Sequence, residues 1–241
     1  MGGRRRVTLR AFVEEVADGS RSITVYAPER DDTLARHFET RGATVDHEPL
    51  PDDGSGGFVV VADDGEFVGS LPRRDARRLF SPGASDLELG SERGVGLPLN
   101  LLADTTFVAF DPRKLLAASR EIEDRAYRQG RGTLRVGFQS QSALASQREG
   151  YEMLTRETDL DVHVYVSADW DSAVPGATVH AEAAEEIGQF WLVVFDGGGD
   201  DRQACALLAE ATDDEPGSFR GFWTYDPGRV AALDSYLAET Y

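Results

Sequence analysis

The hexapeptide Phe107-Val108-Ala109-Phe110-Asp111-Pro112 returns in nearly the same form as Phe222-Trp223-Thr224-Tyr225-Asp226-Pro227. Each block predicts a short apolar strand that ends at Asp-Pro and continues directly into a helix. Asp is favoured at a helix N-cap, and Pro is tolerated at the first helical position because the N–H it lacks has no partner there. Pro also biases the preceding residue toward extended backbone. The doubled block therefore predicts two equivalent joints between a strand and a helix.

The predicted elements follow the same order in both halves of the chain. Each half has a strand, a helix, three strands, a final strand that ends at Asp-Pro, and a second helix. The first copy runs from about residue 22 to residue 129, and the second from about residue 133 to residue 241. The two Asp-Pro pairs stand 115 positions apart, and the opening strands are offset by about 111. A constant separation predicts a tandem duplication. Chance similarity between two α/β halves is the alternative, because few identities exist outside the blocks.

These patterns predict an α/β fold in which mixed sheets are flanked by helices, built from two tandem pseudo-repeats of a β-α-β-β-β-β-α unit. A helix between the first two strands of each half favours a right-handed parallel crossover, whereas the later, short connections favour antiparallel pairing. We expect an N-terminal half over residues 1–130, with an irregular segment at 72–104, and a C-terminal half over residues 131–241. The default ligand site is a cleft between the halves.

The composition is strongly acidic. The 241 residues carry a formal net charge of -18, and Lys114 is the only lysine. Acidic residues scattered along a chain with almost no lysine are typical of proteins from extreme halophiles, where salt screens the self-repulsion. We expect destabilisation at low salt; an ordinary acidic protein is the alternative. No basic stripe is present to neutralise phosphates, which argues against a nucleic-acid partner.

Further compositional features predict a cytoplasmic protein. Cys205 is the single cysteine, so no intramolecular disulfide can form, which fits a reducing compartment. The basic start of the chain is not followed by an apolar segment, and no run of about 18 apolar residues occurs. We therefore expect neither a signal peptide nor a membrane span.

The helix after the first Asp-Pro block holds the candidate ligand-binding residues. Its predicted core stripe consists of four residues at helical spacing: Leu115, Ser119, Ile122 and Ala126. Glu123 and Arg125 lie on opposite shoulders of that stripe, where a side chain can be half buried. Glu121 and Arg125 are spaced for an ion pair. Two interpretations remain open: a structural ion-pair network, or a ligand cleft faced by Arg120, Glu123 and Arg125.

The second copy is rich in aromatic residues, and Trp223 is the fourth candidate ligand-binding residue. Phe219, Trp223 and Tyr225 fall on one face of a predicted strand together with Gly221. Core packing explains such residues, but a glycine among aromatics also leaves room for a flat ligand.

No catalytic or metal site is predicted. Three of the four histidines, His47, His163 and His180, lie on predicted strands, and none of the four has a closely spaced partner. No nucleophile elbow, Walker loop or dinucleotide fingerprint occurs. Gly198-Gly199-Asp200-Asp201 is similar to the signature turn of diguanylate cyclases, but Asp201 and Arg202 replace its Glu and Phe, and a tight acidic surface turn explains the segment.

Several segments together resemble the DICT sensory domain, which is named for its occurrence beside diguanylate cyclases and two-component proteins. The resemblance extends over about residues 105–226, and its most specific part is Ser119-Arg120-Glu121-Ile122-Glu123-Asp124-Arg125. The other matching segments are Val136-Gly137-Phe138-Gln139, Val162-His163-Val164-Tyr165, Trp191-Leu192-Val193-Val194-Phe195-Asp196 and Gly221-Phe222-Trp223-Thr224-Tyr225-Asp226.

The resemblance implies a non-catalytic sensory or regulatory protein that binds a small ligand or a partner such as a histidine kinase or diguanylate cyclase. It implies no catalytic residues and leaves the cofactor and ligand unknown. An enzyme with an unrecognised site between the halves, and a protein–protein adaptor, are the alternatives. A polar cleft with clustered carboxylates or histidines would favour the enzyme, and an exposed apolar patch would favour the adaptor.

Overall fold

The computed structural model describes residues 8–17, 21–39, 44–63, 65–80, 106–110, 112–166, 174–181, 186–212 and 218–241. Within them the chain forms two compact units, which we call the small unit (residues 15–108) and the large unit (residues 1–14 and 109–241). The unit boundaries lie after residues 14 and 108, whereas the sequence predicts one boundary after residue 130. Most of the predicted irregular segment 72–104 lies outside the described residues.

The small unit contains a four-stranded mixed sheet in the order β2-β1-β3-β4. Its strands are β1 Arg21–Ala27, β2 Thr44–Pro49, β3 Phe58–Asp63 and β4 Glu66–Pro72. Its helices are α2 Asp32–Glu39 and α3 Arg73–Phe80, and α1 Leu9–Ala17 precedes β1. Strand β1 pairs in parallel with β2 and antiparallel with β3, which pairs antiparallel with β4. The parallel pairing predicted for the first two strands and the antiparallel pairing predicted for the later strands are confirmed.

The large unit is built on a seven-stranded mixed sheet in the order β5-β11-β10-β9-β6-β7-β8. The strands are β5 Thr106–Phe110, β6 Arg131–Phe138, β7 Asp159–Val166, β8 Thr178–His180, β9 Phe190–Phe195, β10 Cys205–Ala211 and β11 Phe219–Thr224. The helices after β5 are α4 Pro112–Gln129, α5 Gln141–Ala145, α6 Arg148–Glu157 and α7 Pro227–Thr240. Two sheets of mixed direction flanked by helices confirm the predicted fold class.

The apolar strand β9 lies in the middle of the large sheet, between β10 and β6. The unbroken apolar run Phe190–Phe195 predicts a central strand that is covered on both faces. Five of its six residues are buried, which confirms that prediction. Helix α4 packs on β9 through its stripe, and Leu115, Ser119, Ile122 and Ala126 are each at most 3% exposed. The predicted core face of α4 is therefore confirmed.

The two sheets share a local topology. In the large unit β6 pairs in parallel with β7 and antiparallel with β9, which pairs antiparallel with β10. The order β7-β6-β9-β10 therefore matches β2-β1-β3-β4 in both sequence order and direction. The final strand of the first predicted copy, β5, departs from the predicted repeat. It joins the seven-stranded sheet beside β11, so the small sheet has only four strands. The tandem duplication itself stays a prediction.

The second Asp-Pro joint has the predicted chemistry. Asp226 is the N-cap of α7, and its Oδ1 accepts a hydrogen bond from the Arg229 N–H at 2.6 Å, with Pro227 in the first turn. Asp111, the corresponding cap before α4, lies outside the described residues.

One predicted helix is broken in the structure. The sequence from Ser142 to Arg156, with Leu144, Tyr151 and Leu154 as its apolar residues, predicts a single helix. The chain instead forms α5 and α6 with a turn at Ser146 and Gln147. The Ser146 hydroxyl donates to the carbonyl of Ala143 at 2.7 Å, and the Gln147 N–H donates to the carbonyl of Leu144 at 2.8 Å. A serine that bonds to the preceding turn competes with helix continuation, which ends α5 at this point.

Candidate functional site

Helix α4 places two of the candidate residues in direct contact. Arg120 Nη1 donates to Glu123 Oε2 at 2.8 Å, and the Tyr151 hydroxyl on α6 donates to Glu123 Oε1. Arg120 Nη2 also donates to Gln147 Oε1, at the turn that separates α5 from α6. The group Arg120–Glu123–Tyr151–Gln147 therefore ties α4 to α6; we call it the helix-bridging network.

Burial determines the electrostatics of this network. The Glu123 side chain is 7% exposed and Tyr151 is 2% exposed, whereas the Arg120 side chain is 34% exposed. Burial raises the pKa of Glu123, and the donors Tyr151 and Arg120 oppose the rise. Burial and the Glu123 charge raise the pKa of Tyr151 well above its usual value. Arg120 is therefore the member of this group that solvent reaches, whereas the carboxyl of Glu123 and the phenol of Tyr151 are buried.

Arg125 lies in a separate polar group farther along α4. Its guanidinium carbon stands 4.9 Å from the centre of the Tyr225 ring, and its Nη1 donates to the carbonyl of Arg202 at 3.4 Å. Nη2 is 3.6 Å from Glu121 Oε1, which confirms the predicted pair at i, i+4. The buried Nε has no hydrogen-bond partner among the described residues. Burial raises the pKa of Tyr225 to about 12, so its phenol stays neutral under ordinary conditions.

Trp223 is 4% exposed and contributes to the core around β11. The predicted room for a flat ligand at Gly221 is not present. A Cβ added at Gly221 would lie 2.0 Å from the carbonyl oxygen of Leu208 and 2.6 Å from Cα of Ala209. The glycine therefore accommodates the backbone of β10.

A second polar cluster was missed by the sequence reasoning. Strand β7 presents Asp161, His163 and Tyr165 on one face, and His180 lies beside them on β8. His163 Nδ1 and His180 Nε2 are 2.9 Å apart, although the residues are separated by 17 positions. A usable signal was the Asp-x-His-x-Tyr alternation of β7, since alternate residues of a strand share a face. Pairing β7 with β8, which brings in His180, was not predicted.

The same cluster extends to β6 and α7. Arg135 Nη1 donates to the Tyr165 hydroxyl at 2.9 Å, and Arg135 Nε is paired with Asp234 Oδ1 on α7 at 2.6 Å. Burial raises the pKa of Tyr165, and the nearby Arg135 charge opposes the rise. Among the described residues, no group of three or more His, Cys, Asp or Glu side chains is placed to hold a metal ion.

Two further carboxylates of the large unit are held by several donors. Glu210 is 3% exposed and is paired with Arg10 and with Arg220, the latter at 2.8 Å. Glu186 accepts from the Leu9 N–H at 2.8 Å and from the hydroxyls of Tyr236 and Tyr241 at 2.6 and 2.7 Å. Both carboxylates bind α1 residues, Leu9 and Arg10, that belong to the large unit, which is a structural use of charge.

A shallow groove of about 470 Å³ lies at the C-terminal end of α4. Polar residues dominate its lining, which consists of Tyr127, Arg128, Gly130, Arg156, Glu157, Thr158 and Asp159. The Tyr127 hydroxyl donates to Glu157 Oε2 at 3.2 Å, and Arg156 pairs with Glu157 at 2.9 Å. Arg156 and Glu157 in this lining therefore already have partners.

The Gly198–Asp201 turn has the local structure of a hairpin connection between β9 and β10. Gly198 and Gly199 have positive φ angles of 60° and 91°, which favours glycine at both positions. Asp200 Oδ1 accepts from the backbone N–H of Arg202 at 3.2 Å and from its Nε at 3.0 Å. These contacts support the structural interpretation of the turn.

Cys205 is 1% exposed, and burial raises the pKa of its thiol to about 12. A thiol with so high a pKa is a poor nucleophile. None of the described helices is both long and apolar enough to cross a membrane.

The DICT family, described as the sensory domain in diguanylate cyclases and two-component system, matches residues 98–212. This match confirms the DICT resemblance, and it includes α4, α6 and the strands β6 to β10. The matched segment is therefore similar to a sensory domain that occurs in signalling proteins.

Two further comparisons give no information about function. No curated protein matches the chain. A similar solved structure, the polyphosphate kinase from Porphyromonas gingivalis, shares 13% identity with a TM-score of 0.36. The match covers 95% of this chain and 47% of the kinase chain, so this chain spans about half the length of that protein. At this TM-score the likeness supports no argument about fold or activity.

Proposed function

We propose that this protein is a non-catalytic, cytoplasmic sensory module whose DICT segment binds a small ligand or a partner protein and responds through helix α4. The DICT match provides the sensory role. The observation that carries the mechanism is the helix-bridging network, in which a partly exposed arginine holds a buried carboxylate between two helices.

The pairing of buried polar groups supports a non-catalytic role. Glu123, Arg135 and Glu210 are each buried, and each is hydrogen bonded to groups of the same chain. A catalytic acid or base needs a free site for a reacting atom within hydrogen-bond reach. Cys205, the one thiol of the chain, is buried with a raised pKa.

The network supports a specific mode of response. Arg120 is one-third exposed, and its guanidinium can pair with a carboxylate or phosphate group of a ligand or partner. Such an anion competes with Glu123 for Arg120. Glu123 can take up a proton when it loses this partner, because burial already raises its pKa. The contacts of Arg120 with Gln147 would then weaken, and the α4–α6 arrangement would shift between two populations.

The experiment is native mass spectrometry of the full chain purified in high salt, combined with thermal shift in the presence of small carboxylates and phosphates. We expect a retained molecule or an anion-dependent rise in Tm for the wild type, and loss of either in Arg120→Gln. Arg74→Gln is the matched control, because Arg74 is a 75% exposed arginine of the small unit. Equal responses of the wild type and both variants would refute the role of Arg120.

A partner-binding function has its own supporting observation in the small unit. Its sheet exposes Phe58, Phe67 and Val68 by 39%, 69% and 39%, and the rings of Tyr26 and Phe58 stack with centres 4.9 Å apart. Exposed apolar residues on a sheet favour a protein partner. A histidine kinase or diguanylate cyclase is the partner class that the DICT family implies.

The test of this second function is co-elution of the chain with such a signalling protein in size-exclusion chromatography. Phe67→Ser should abolish co-elution without lowering Tm, because that ring is mostly exposed. Glu66→Ser is the control at an adjacent exposed position. Co-elution that persists in Phe67→Ser would exclude this face as the binding surface.

A further inference from the structure

Two histidines from neighbouring strands face each other at the β8 edge of the large sheet. His163 Nδ1 lies 2.9 Å from His180 Nε2, and the two ring planes differ by 22°. The ring centres are 5.2 Å apart, which exceeds the nitrogen separation by about one ring diameter. The rings therefore meet edge to edge, with the two nitrogens directed at one another.

The outer nitrogen of each ring faces an oxygen atom. His163 Nε2 is 3.1 Å from Asp161 Oδ2, and His180 Nδ1 is 3.3 Å from the backbone oxygen of Tyr241. Both oxygens can only accept a hydrogen bond, so they favour an N–H on the outer nitrogens. The inner nitrogens are at hydrogen-bond distance, so one of them carries an N–H that the other accepts, and a metal ion bound to both would replace that proton.

This pattern of outer contacts is the one found around metal-bound histidines. Such histidines donate their second ring N–H to a carboxylate or a backbone carbonyl, which fixes the tautomer and the orientation of the ring. Asp161 and Tyr241 supply one contact of each kind. Two imidazole nitrogens on a tetrahedral Zn²⁺ stand about 3.3 Å apart. To bind one ion, the two nitrogens must separate by a few tenths of an ångström, and each ring must turn by about 35° so that both lone pairs point at the ion.

The ring positions are held in the absence of any ion. The Tyr165 ring stacks on His180 with centres 4.5 Å apart and planes within 9°. Arg135 in turn donates to the Tyr165 hydroxyl and pairs with Asp234. Ligands that are already oriented lose little conformational freedom when a metal binds.

We propose that His163 and His180 form a two-imidazole site for a borderline divalent metal such as Zn²⁺, Ni²⁺ or Cu²⁺, with water in the remaining positions. Imidazole nitrogen selects these ions over Mg²⁺ and Ca²⁺, which prefer oxygen ligands. The net charge of -18 favours cations near the chain in general. No third His, Cys, Asp or Glu ligand is placed there in the described part of the chain, so the ion keeps open positions.

The test is isothermal titration of the full chain with Zn²⁺ in about 1 M KCl, where a Debye length near 3 Å suppresses non-specific binding to surface carboxylates. We expect one Zn²⁺ per chain and no comparable binding of Mg²⁺. His163→Gln and His180→Gln should each lower Zn²⁺ affinity at least about tenfold, and Asp161→Asn about tenfold through loss of the positioning contact. His47→Gln is the matched control, since His47 lies on β2 of the small unit.

A second measurement keeps the proposal testable if a variant does not fold. Ni²⁺ added to the wild-type chain should broaden NMR signals of residues 161–166 and 178–180 first. Equal Zn²⁺ affinity in the wild type, His163→Gln and His180→Gln would overturn the proposal. So would ring signals of the pair that respond to pH and not to Ni²⁺, because the pair would then share only a proton.

Discussion

Arg120 and Glu123, one turn apart on α4, form a 2.8 Å ion pair with very unequal burial, since the arginine side chain is 34% exposed and the glutamate side chain 7%. Removing the arginine leaves a buried carboxylate with Tyr151 as its remaining described donor. We expect Arg120→Met to lower the free energy of unfolding by about 1–3 kcal/mol, measured by urea titration in high salt. Arg128→Met, on the same helix at a 62% exposed side chain, should change it by less than about 0.5 kcal/mol. Equal effects of the two changes would contradict the structural role of the pair.

Glu123 should make stability depend on pH in a direction opposite to that of most carboxylates. Burial raises its folded-state pKa, so the stabilisation that it contributes is fully present below the usual glutamate value of about 4.3 and is lost as pH rises through the folded value. Glu123→Gln removes this titration. The Tm of the variant relative to the wild type should therefore increase from about pH 4 to about pH 8. A constant difference across this range would show that Glu123 is not titrating there.

Gly221 should tolerate no side chain. A Cβ at this position would overlap the carbonyl of Leu208 on the neighbouring strand, so Gly221→Ala forces β10 and β11 apart. We expect a loss of about 3 kcal/mol in unfolding free energy. Gly150→Ala is the control, because this position is helical and the nearest neighbouring atom would be 3.4 Å away. That change should stabilise the chain by up to about 1 kcal/mol.

The acidic composition predicts a strong dependence of stability on salt. A net charge of -18 creates self-repulsion that is largely screened at molar ionic strength and much less at about 0.1 M. Tm measured by circular dichroism should therefore rise steeply as KCl is increased from about 0.1 M to about 2 M. An equal rise with sucrose at matched osmolarity would point to solvent exclusion instead of charge screening.

Local chemistry allowed several features to be predicted from sequence. The spacing of Leu115, Ser119, Ile122 and Ala126 identified the buried face of α4, and the apolar run 190–195 identified a central strand. The Asp226-Pro227 dipeptide placed the start of α7. Each of these depends on residues within one or two turns, where periodicity and capping act directly.

The features that were not predicted depend on contacts between residues that are far apart in the sequence. The partner of β5 depends on a sheet edge formed by β11, more than 100 residues later, and β5 carries no signal for that choice. Gln147, at the break between α5 and α6, accepts a hydrogen bond from Arg120 of α4, a contact that the residues around position 147 do not encode. His163 and His180 meet because β8 adds to the edge of β7 in parallel register, and neither strand encodes this neighbour in its own residues.

Strand β8 has only three residues and a single neighbour in the sheet. Few backbone hydrogen bonds hold it, so its local opening should need far less free energy than global unfolding. Opening of β8 would carry His180 away from His163, whereas an ion bound to both rings would oppose it. Amide hydrogen exchange at residues 178–180 would then slow when a metal ion is bound to His163 and His180. The bound ion would thus keep the edge strand β8 paired with the rest of the sheet.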